Sequence, residues 1–258
     1  MPAPLDIPGA GQRVLAFTAH PDDEIFFAGL LHACARRGAR VEVVCATAGE
    51  AGRRRDPTYS PELGLGALRL VELERSCAAL GVASARCLGW PDGGVPGPEE
   101  GGSLQALGAC LQGDLPALTL SFGPDGAYGH KDHVRLGRLA EAAWRLSGAP
   151  GVFAQAAFPR GLFIPLRRAL SRVKGGPIDA GIRPEQLGCD RGDVDLCLPL
   201  TLPEPSGPPL AGVKRQALAA HRSQLAGGEP LSFLGEDLTR ALLDEEWYRV
   251  VRPAPHDA

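Results

Sequence analysis

The hexapeptide Ala19-His20-Pro21-Asp22-Asp23-Glu24 stands at the junction between a strand-like segment and a helix-like segment. Before it, residues 13–18 form an apolar run of strand length, RVLAFT. After it, residues 25–37 have the length of a helix, and Gly38 is a usual C-terminal stop. One imidazole and three carboxylates are therefore packed into a strand-to-helix turn. In an open parallel sheet such a turn lies at the carboxyl end of a strand, where ligands bind.

Two interpretations of this turn are open from the hexapeptide alone. Asp22, Asp23 and Glu24 could cap free N–H groups at a helix start and complement the helix dipole. A cap needs only one acid, however, and does not require an adjoining His-Pro pair. His20 and Asp23 are three residues apart, close enough to converge on one metal ion from a turn.

Strand-like and helix-like segments alternate along the rest of the chain. The predicted strands cover residues 40–47, 85–88, 117–122, 151–158 and 193–199. The predicted helices cover residues 63–80, 103–113, 134–146, 162–173, 210–225 and 236–249. This alternation predicts an α/β fold with a parallel sheet covered on both faces. The Gly-x-Gly triplets at 9–11 and 64–66 lack the strand–turn–helix setting of a dinucleotide site, so none is expected.

Length and composition are those of an ordinary globular protein. The 258 residues, with a net charge of −3, fit one domain spanning 1–258, in which 150–200 could form a lid or small subdomain. Interspersed charges give no case for nucleic-acid or membrane binding, and no apolar run is long enough to cross a bilayer. The start of the chain does not read as a signal peptide, and the seven cysteines contain no C-x-x-C pair. We therefore expect a cytoplasmic protein without a thiolate metal site.

A second group of polar residues follows the predicted strand that ends at Phe122. A Gly-rich loop leads to His130 and His133, three residues apart at the start of the next helix. The same edge of the sheet thus receives His20 and Asp23 from one loop and His133 from another. Two imidazoles and one carboxylate, with a position left for water, are the ligands of a catalytic zinc site. The alternative, surface or helix-capping histidines, does not account for two clusters at one sheet edge.

The two motifs resemble those of the PIG-L/LmbE-like de-N-acetylase superfamily. They are Ala-His-Pro-Asp-Asp-Glu at 19–24 and Gly-His-Lys-Asp-His at 129–133. Weaker matches follow in the family's order: Arg69, Glu72, Leu73, Leu80-Gly81, the Trp-Pro-Asp-Gly at 90–93, Lys214 and the Ala-His-Arg-Ser-Gln at 220–224. The resemblance covers nearly the whole chain. It implies a Rossmann-like three-layer αβα sandwich with a mostly parallel sheet, and hydrolysis of an N-acetyl group on an amino-sugar conjugate.

The resemblance also implies roles for individual residues of the two motifs. His20, Asp23 and His133 would bind one Zn²⁺ ion per chain, although another divalent metal is possible. Asp22 would be the general base that takes a proton from water. His130 would stabilise the oxyanion or protonate the departing amine.

Four further positions acquire roles in the same way. Asp132 would orient the first histidine of the second motif and keep it protonated, although it could simply cap the helix. Tyr128 would contact the acyl oxygen. Arg69 and Asp92 would hold the sugar or its polar aglycone. For Arg69 the alternative is an ordinary surface ion pair with Glu72 on one helix.

The substrate and two pocket positions stay open at this stage. An acetylated amino sugar is the leading small-molecule partner. An amidase that cleaves a thiol-sugar conjugate, or a non-catalytic metal-binding regulatory protein, are the alternatives, and a homo-oligomer is possible. Phe27 and Leu30 stand where the family has small residues; they face either the pocket or the sheet. His221 is expected to bond backbone near the active loops.

Overall fold

The computed structural model describes residues 6–60, 62–148, 150–172, 176–179, 181–202, 209–225 and 236–252. Within them, seven strands form one sheet. The strands are β1 (Arg13–Thr18), β2 (Arg40–Thr47), β3 (Ser84–Trp90), β4 (Leu118–Phe122), β5 (Val152–Ala157), β6 (Leu196–Pro199) and β7 (Glu245–Val251). The helices are α1 (Ala28–Arg36), α2 (Leu65–Leu80), α3 (Ser103–Leu111), α4 (Gly126–Gly129), α5 (Lys131–Leu146), α6 (Ile164–Leu170), α7 (Leu210–Ala219) and α8 (Glu236–Asp244).

The strand order explains why the two motif loops are neighbours. The order is β3-β2-β1-β4-β5-β7-β6. The first five strands are parallel, β7 runs antiparallel to β5, and β6 runs antiparallel to β7. The order of the strands reverses between β1 and β4, and at such a switch point the loops beyond the carboxyl ends leave a crevice. One motif follows β1 and the other follows β4.

The sheet is buried between two helical layers, because alternate side chains of a strand point to opposite faces. Val14 and Ala16 of β1 belong to a core cluster that includes α1, α2 and α7. Leu15 and Phe17 belong to a second cluster with α3 and α5. The predicted three-layer αβα sandwich with a mostly parallel sheet is thus confirmed.

The prediction of a continuous helix over residues 236–249 is wrong in its second half. The helix α8 ends at Asp244, and the chain continues directly as the strand β7. Aromatic and β-branched residues, including Trp247 and Val250, favour an extended backbone. Pairing with β5 gives this segment a ladder of hydrogen bonds that no local pattern reveals. The predicted helix over 210–225 likewise ends early, at Ala219, before a short 3₁₀ turn.

Part of the region 150–200 packs on the loop that follows β4. The amide of Lys131 donates to the Pro177 carbonyl (2.8 Å), and the amide of Asp179 donates to the Gly129 carbonyl (2.8 Å). The buried guanidinium of Arg167 contacts the carbonyls of Tyr128, Asp179 and Ile182. The choice between one domain and a domain with a lid stays a prediction. Val173, the end of the predicted helix here, lies outside the described residues.

Neither membrane spans nor disulfides occur in the described part of the chain. None of its helices is long and apolar enough to cross a bilayer. All seven cysteines are free thiols, and five of them are buried. A buried free cysteine behaves as a small apolar side chain.

A buried carboxylate, Glu246, ties β7 to the first helix. It accepts hydrogen bonds from the amides of Gly29 (2.9 Å) and Leu30 (3.0 Å), the Lys214 ammonium (2.8 Å) and the Tyr248 hydroxyl (2.7 Å). Glu246 and Lys214 are both nearly inaccessible to solvent. The carboxylate therefore caps α1 and neutralises a buried cation.

We expect Glu246→Ala to lower the free energy of unfolding by about 3–5 kcal/mol, because it leaves the Lys214 charge buried and unpaired. Urea denaturation measures this cost. The matched control is Asp190→Ala, which removes the exposed pair with Arg160 and should change stability little. Equal stability of the two variants would contradict the role assigned to Glu246.

Candidate active site

The loop after β1 is held in a strained conformation by its own carboxylates. Oδ2 of Asp23 accepts hydrogen bonds from the amides of Ala19 (3.1 Å) and His20 (2.8 Å). Asp22 has φ 113°, a left-handed value that is uncommon for a residue with a Cβ. Such strain persists only where the surroundings impose it, and it is frequent at functional sites.

The loop after β4 presents two stacked imidazoles. His130 lies at the N-cap of α5, and Ala127 just before it also has a left-handed φ of 64°. The ring of His133 is fully buried between the ring of Phe122, at a centroid distance of 4.0 Å, and that of His130, at 4.5 Å. This stacking fixes the plane of the His133 ring.

The two loops meet, as the sequence predicts. Asp23 lies between two imidazoles: Oδ2 is 3.2 Å from Nδ1 of His20, and Oδ1 is 3.2 Å from Nε2 of His133. The His20 ring is 4.7 Å from that of His130 and 5.4 Å from that of His133, centroid to centroid. Side chains separated by more than a hundred residues therefore share one recess.

These side chains form a possible metal site. Among the described residues, two sets of three offer donor atoms that all lie within 4.8 Å of one another: His20, His130 and His133, and His20, Asp92 and Asp132. The set predicted from sequence, His20 with Asp23 and His133, is not one of them; its members are linked in pairs through Asp23.

The chemistry of His133 fits a metal ligand. Both of its ring nitrogens are buried and make no hydrogen bond in the described structure. A buried imidazole without a hydrogen-bond partner is costly, and coordination of an ion by one nitrogen would offset that cost. Oδ1 of Asp23, the oxygen not used by the backbone amides, lies 3.2 Å from Nε2 of His133. The donor set of nitrogens and a carboxylate oxygen suits zinc.

Arg69 lies behind Asp22, with only 5% of its surface exposed. Its guanidinium is 3.2 Å from Oδ2 of Asp22 and donates to the carbonyls of Pro21 (2.5 Å) and Gly49 (3.0 Å). Gly49 is required here, because its φ is +67° and a Cβ would collide with the guanidinium. In this conformation the Arg69 guanidinium is engaged by protein groups, and its contact with the sugar stays a prediction.

The surface ion pair between Arg69 and Glu72 is also absent. Both residues are buried, and the Glu72 carboxylate accepts from the amide and the hydroxyl of Ser223 (both 2.6 Å). Helix α2 directs the Arg69 side chain toward the loops of the site and the Glu72 side chain toward the turn after α7. The surface interpretation fails because the helix face that carries them is covered.

Asp22, the predicted general base, is the more exposed of the two neighbouring aspartates. Its side chain is 32% exposed, whereas that of Asp23 is 5% exposed. Desolvation in the recess raises the pKa of Asp22, and the Arg69 guanidinium opposes this shift. A raised pKa brings a carboxylate closer to the range that suits a general base.

A buried hydrogen-bond network under Asp22 was missed by sequence reasoning. Glu24 accepts from Nε2 of His221 (2.5 Å) and from the hydroxyl of Ser76 (2.5 Å), and all three are fully buried. Its other oxygen accepts from the amide of Asp22 (3.0 Å). His221 thus bonds a side chain, not backbone as expected. In the sequence, this network was indicated only by Glu24, the third consecutive acid of the first motif.

The predicted pairing of the Asp132 carboxylate with His130 is wrong. The carboxylate lies 3.3 Å from Nε2 of His20 and accepts from the amides of Gly93 (2.8 Å) and Val95 (3.3 Å). Only the backbone amide of Asp132 reaches His130, donating to its Nδ1 (3.2 Å). At the first turn of α5 the side chain is directed across the site toward the loop after β3.

The surroundings of His130 favour a neutral imidazole over the imidazolium expected from sequence. Nδ1 accepts a hydrogen bond, so the proton belongs on Nε2. Burial lowers the pKa of His130, and the neighbouring His133 and His20 lower it further. The side chain can donate one N–H to a bound group without carrying a charge.

Asp92 and Tyr128 both lie at the site. Oδ1 of Asp92 is 3.2 Å from Nε2 of His20, and Oδ2 accepts from the amide of Ala51 (2.9 Å). The Tyr128 ring is 5.7 Å from that of His130 and 5.3 Å from that of His133. Both residues are therefore at the predicted place, and their contacts with a substrate stay predictions.

Phe27 and Leu30 face the sheet, not the pocket. Both are fully buried in the core, where Phe27 contacts the rings of Phe122 and Tyr248. Of the two neighbouring phenylalanines, Phe26 is the one near the site, with its ring 6.4 Å from that of His133. Phe26 is only partly buried and packs at the edge of both core clusters.

Comparisons with known proteins agree with this geometry. A family model described as PIG-L, GlcNAc-PI de-N-acetylase, matches residues 15–144, which hold both motif loops. A 1D-myo-inositol 2-acetamido-2-deoxy-alpha-D-glucopyranoside deacetylase from Streptomyces griseus is 32% identical over 97% of this chain and 86% of its own length.

Solved structures share the fold. An N,N'-diacetylchitobiose deacetylase from Pyrococcus horikoshii matches with a TM-score of 0.64 and 22% identity over 95% of this chain and 87% of that chain. A 4-carboxy-2-hydroxymuconate hydratase from Pseudomonas putida matches with a TM-score of 0.60 and 15% identity over 94% and 97%. Since these two neighbours carry out different reactions, the fold alone does not determine the chemistry.

Proposed function

The chain belongs to the PIG-L family of de-N-acetylases, and we propose that it is a zinc-dependent hydrolase that removes the N-acetyl group from an N-acetylglucosaminyl conjugate. The observation that carries the proposal is the convergence of the two motif loops. They bring His20, Asp23 and His133 together, with a more exposed carboxylate beside them.

Three residues would hold the ion: the imidazoles of His20 and His133 and Oδ1 of Asp23. When bound, such an ion lowers the pKa of a coordinated water and polarises the amide carbonyl. Neighbouring groups would hold these ligands in place. Oδ2 of Asp23 is held by two backbone amides, and the carboxylates of Asp92 and Asp132 lie beside His20.

Asp22 carries out both proton transfers, and His130 acts as a hydrogen-bond donor. Asp22 takes a proton from the attacking water, while the Glu24 carboxylate holds the Asp22 amide and Arg69 holds the Asp22 carboxylate. The neutral His130 donates its Nε2–H to the oxyanion that develops on the acyl oxygen. Because His130 carries no extra proton, the departing amine receives its proton from Asp22.

The polar side of the recess suits a sugar. Glu50, Asp92 and the backbone amides around them form the rim beside His20, since the Glu50 carboxylate accepts from the Asp92 amide (2.9 Å) and Asp92 accepts from Ala51. Sugar hydroxyls need such hydrogen-bonding partners. The names of the curated relatives point to a glucosaminyl-inositol type of aglycone, which we adopt for this chain as part of the proposal.

Acetate release from N-acetylglucosaminyl-inositol and from N-acetylglucosamine tests the function directly. We expect release from the conjugate to exceed release from the free sugar, to stop after chelator treatment, and to return with one equivalent of Zn²⁺ per chain. Acetate release that is unaffected by metal removal would rule out the metal-dependent mechanism. Metal binding without release from any acetylated amino sugar would favour the regulatory alternative, and cleavage only of a thiol conjugate would favour the amidase.

A further inference from the structure

A cavity of about 230 Å³, partly open to solvent, lies against Phe26. Its apolar side is formed by Phe26, Phe158 and Leu162, and its far side by residues of α8, β7 and α7, including Trp247 and Lys214. None of the nine residues to which a metal-binding, catalytic or sugar-binding role was assigned lines it. Four further charged side chains also line the cavity: Arg240, Asp244, Glu245 and Glu246. Its volume exceeds the roughly 150 Å³ of an apolar cavity that binds benzene, so the apolar side has room for a chain of several carbons.

Phe26 separates the cavity from the proposed metal ligands. Its ring lines the cavity and also lies 6.4 Å from the ring of His133, centroid to centroid. It is packed edge-to-face against Phe122 (5.9 Å), Phe158 (5.3 Å) and Phe163 (6.2 Å). Phe26 remains half-buried, whereas Ile25 and Phe27 on either side are buried. The ring therefore forms a wall with the site on one side and the cavity on the other.

This aromatic wall is the part of the site that suits the acyl half of an amide. The ring contacts of Phe26 on the site side are with His133 and Phe122. The polar groups suited to a sugar, Glu50 and Asp92, lie instead in the loops after β2 and β3, where they contact each other and His20. Sugar hydroxyls placed against phenyl rings would lose hydrogen bonds, whereas an acyl methyl group would not.

Resting on the proposed function, we propose that Phe26 determines acyl-chain length: its ring restricts the native enzyme to N-acetyl groups by closing off the cavity behind it. Shortening this side chain joins the cavity to the site. The variant then accepts N-acyl glucosamine conjugates with butanoyl or hexanoyl chains, whose methylenes enter the cavity. The reaction is the same amide hydrolysis, with the longer carboxylate and the free amine as products.

The test compares acetyl, butanoyl and hexanoyl glucosaminyl conjugates with the native protein, Phe26→Ala and Phe26→Leu. Each methylene moved into an apolar cavity favours binding roughly fourfold. We therefore expect Phe26→Ala to raise the hexanoyl-to-acetyl ratio of kcat/KM at least tenfold, and Phe26→Leu to raise it by less. Leu162→Ala is the matched control, because it enlarges the same cavity without opening the wall, and it should leave the ratio unchanged.

A second readout does not depend on turnover. Hexanoate should raise the melting temperature of metal-free Phe26→Ala more than that of the native protein or of Leu162→Ala. Folding of each variant is checked by circular dichroism, and Phe26→Leu serves if the alanine variant does not fold. Acetate release by the native protein tests the proposed function on its own; if that fails, hexanoate binding still decides whether Phe26 closes the cavity.

Three results would overturn the inference. One is a native enzyme that hydrolyses hexanoyl as fast as acetyl conjugates. Another is a folded Phe26→Ala or Phe26→Leu with the native acyl ratio and no hexanoate binding. The third is a Leu162→Ala variant that gains as much as Phe26→Ala, which would mean that any loosening of the aromatic group admits longer chains.

Discussion

Asp22→Asn is expected to lower kcat roughly 10²- to 10⁴-fold while the protein still binds one metal ion per chain. Asparagine keeps the shape of the side chain and can still contact Arg69, but it cannot take a proton from the attacking water. The measurements are steady-state acetate release and metal content after dialysis. Asp114→Asn, which alters an exposed carboxylate paired with Arg40, is the control and should keep the native rate.

The structure separates the role of Asp22 from that of its neighbour Asp23. Asp23 contacts both imidazoles, so Asp23→Asn should weaken metal binding itself. Asp22 contacts Arg69 and, through its amide, Glu24. If Asp22→Asn lost the metal together with the rate, Asp22 would be a ligand or a structural residue, and the assignment of a base would be refuted.

The parts of the site that could be predicted are those that local sequence determines. The apolar run of β1 and the Gly at the end of the following helix mark a strand and a helix, so the turn between them had to lie at a sheet edge. The same reasoning placed His130 and His133 in a later turn at the same edge of the sheet. That β1 and β4 are neighbours appears only in the structure, because the handedness of parallel crossovers leaves the strand order open.

The parts that could not be predicted depend on contacts between distant segments. Glu24 bonds His221 across 197 positions, and Glu246 bonds Gly29 across 217. No spacing rule within a helix or strand anticipates such pairs. Asp132 was misassigned for the same reason: its carboxylate is directed by two amides of the loop after β3, which the pattern around the second motif does not contain.

His130 illustrates how the correct identification of a residue can accompany a wrong charge state. Nearness in sequence suggested that Asp132 would stabilise an imidazolium. In the structure the amide of Asp132 occupies Nδ1, and a second proton on that nitrogen would face another N–H. The residue is at the predicted place, but it acts as a neutral donor.

The second large expected effect is a fall in kcat when the oxyanion donor His130 is removed. We expect His130→Ala to lower kcat roughly 10²- to 10³-fold, as loss of one oxyanion donor does in other hydrolases. Metal content should stay native, because the predicted ligands His20, Asp23 and His133 are untouched. His32→Ala is the control, since that imidazole contacts the Leu80 carbonyl at the far end of α2 and should not affect the rate.

His130→Gln distinguishes a neutral donor from a charged acid. Glutamine can donate an N–H but cannot transfer a proton, so a donor role predicts a rate between those of the native protein and His130→Ala, with an unchanged shape of the pH–rate profile. If His130 were instead an imidazolium that protonates the amine, glutamine would be as slow as alanine and the alkaline limb of the profile would disappear. That outcome would make His130 the acid that protonates the departing amine. Asp22 would then only take the proton from the attacking water.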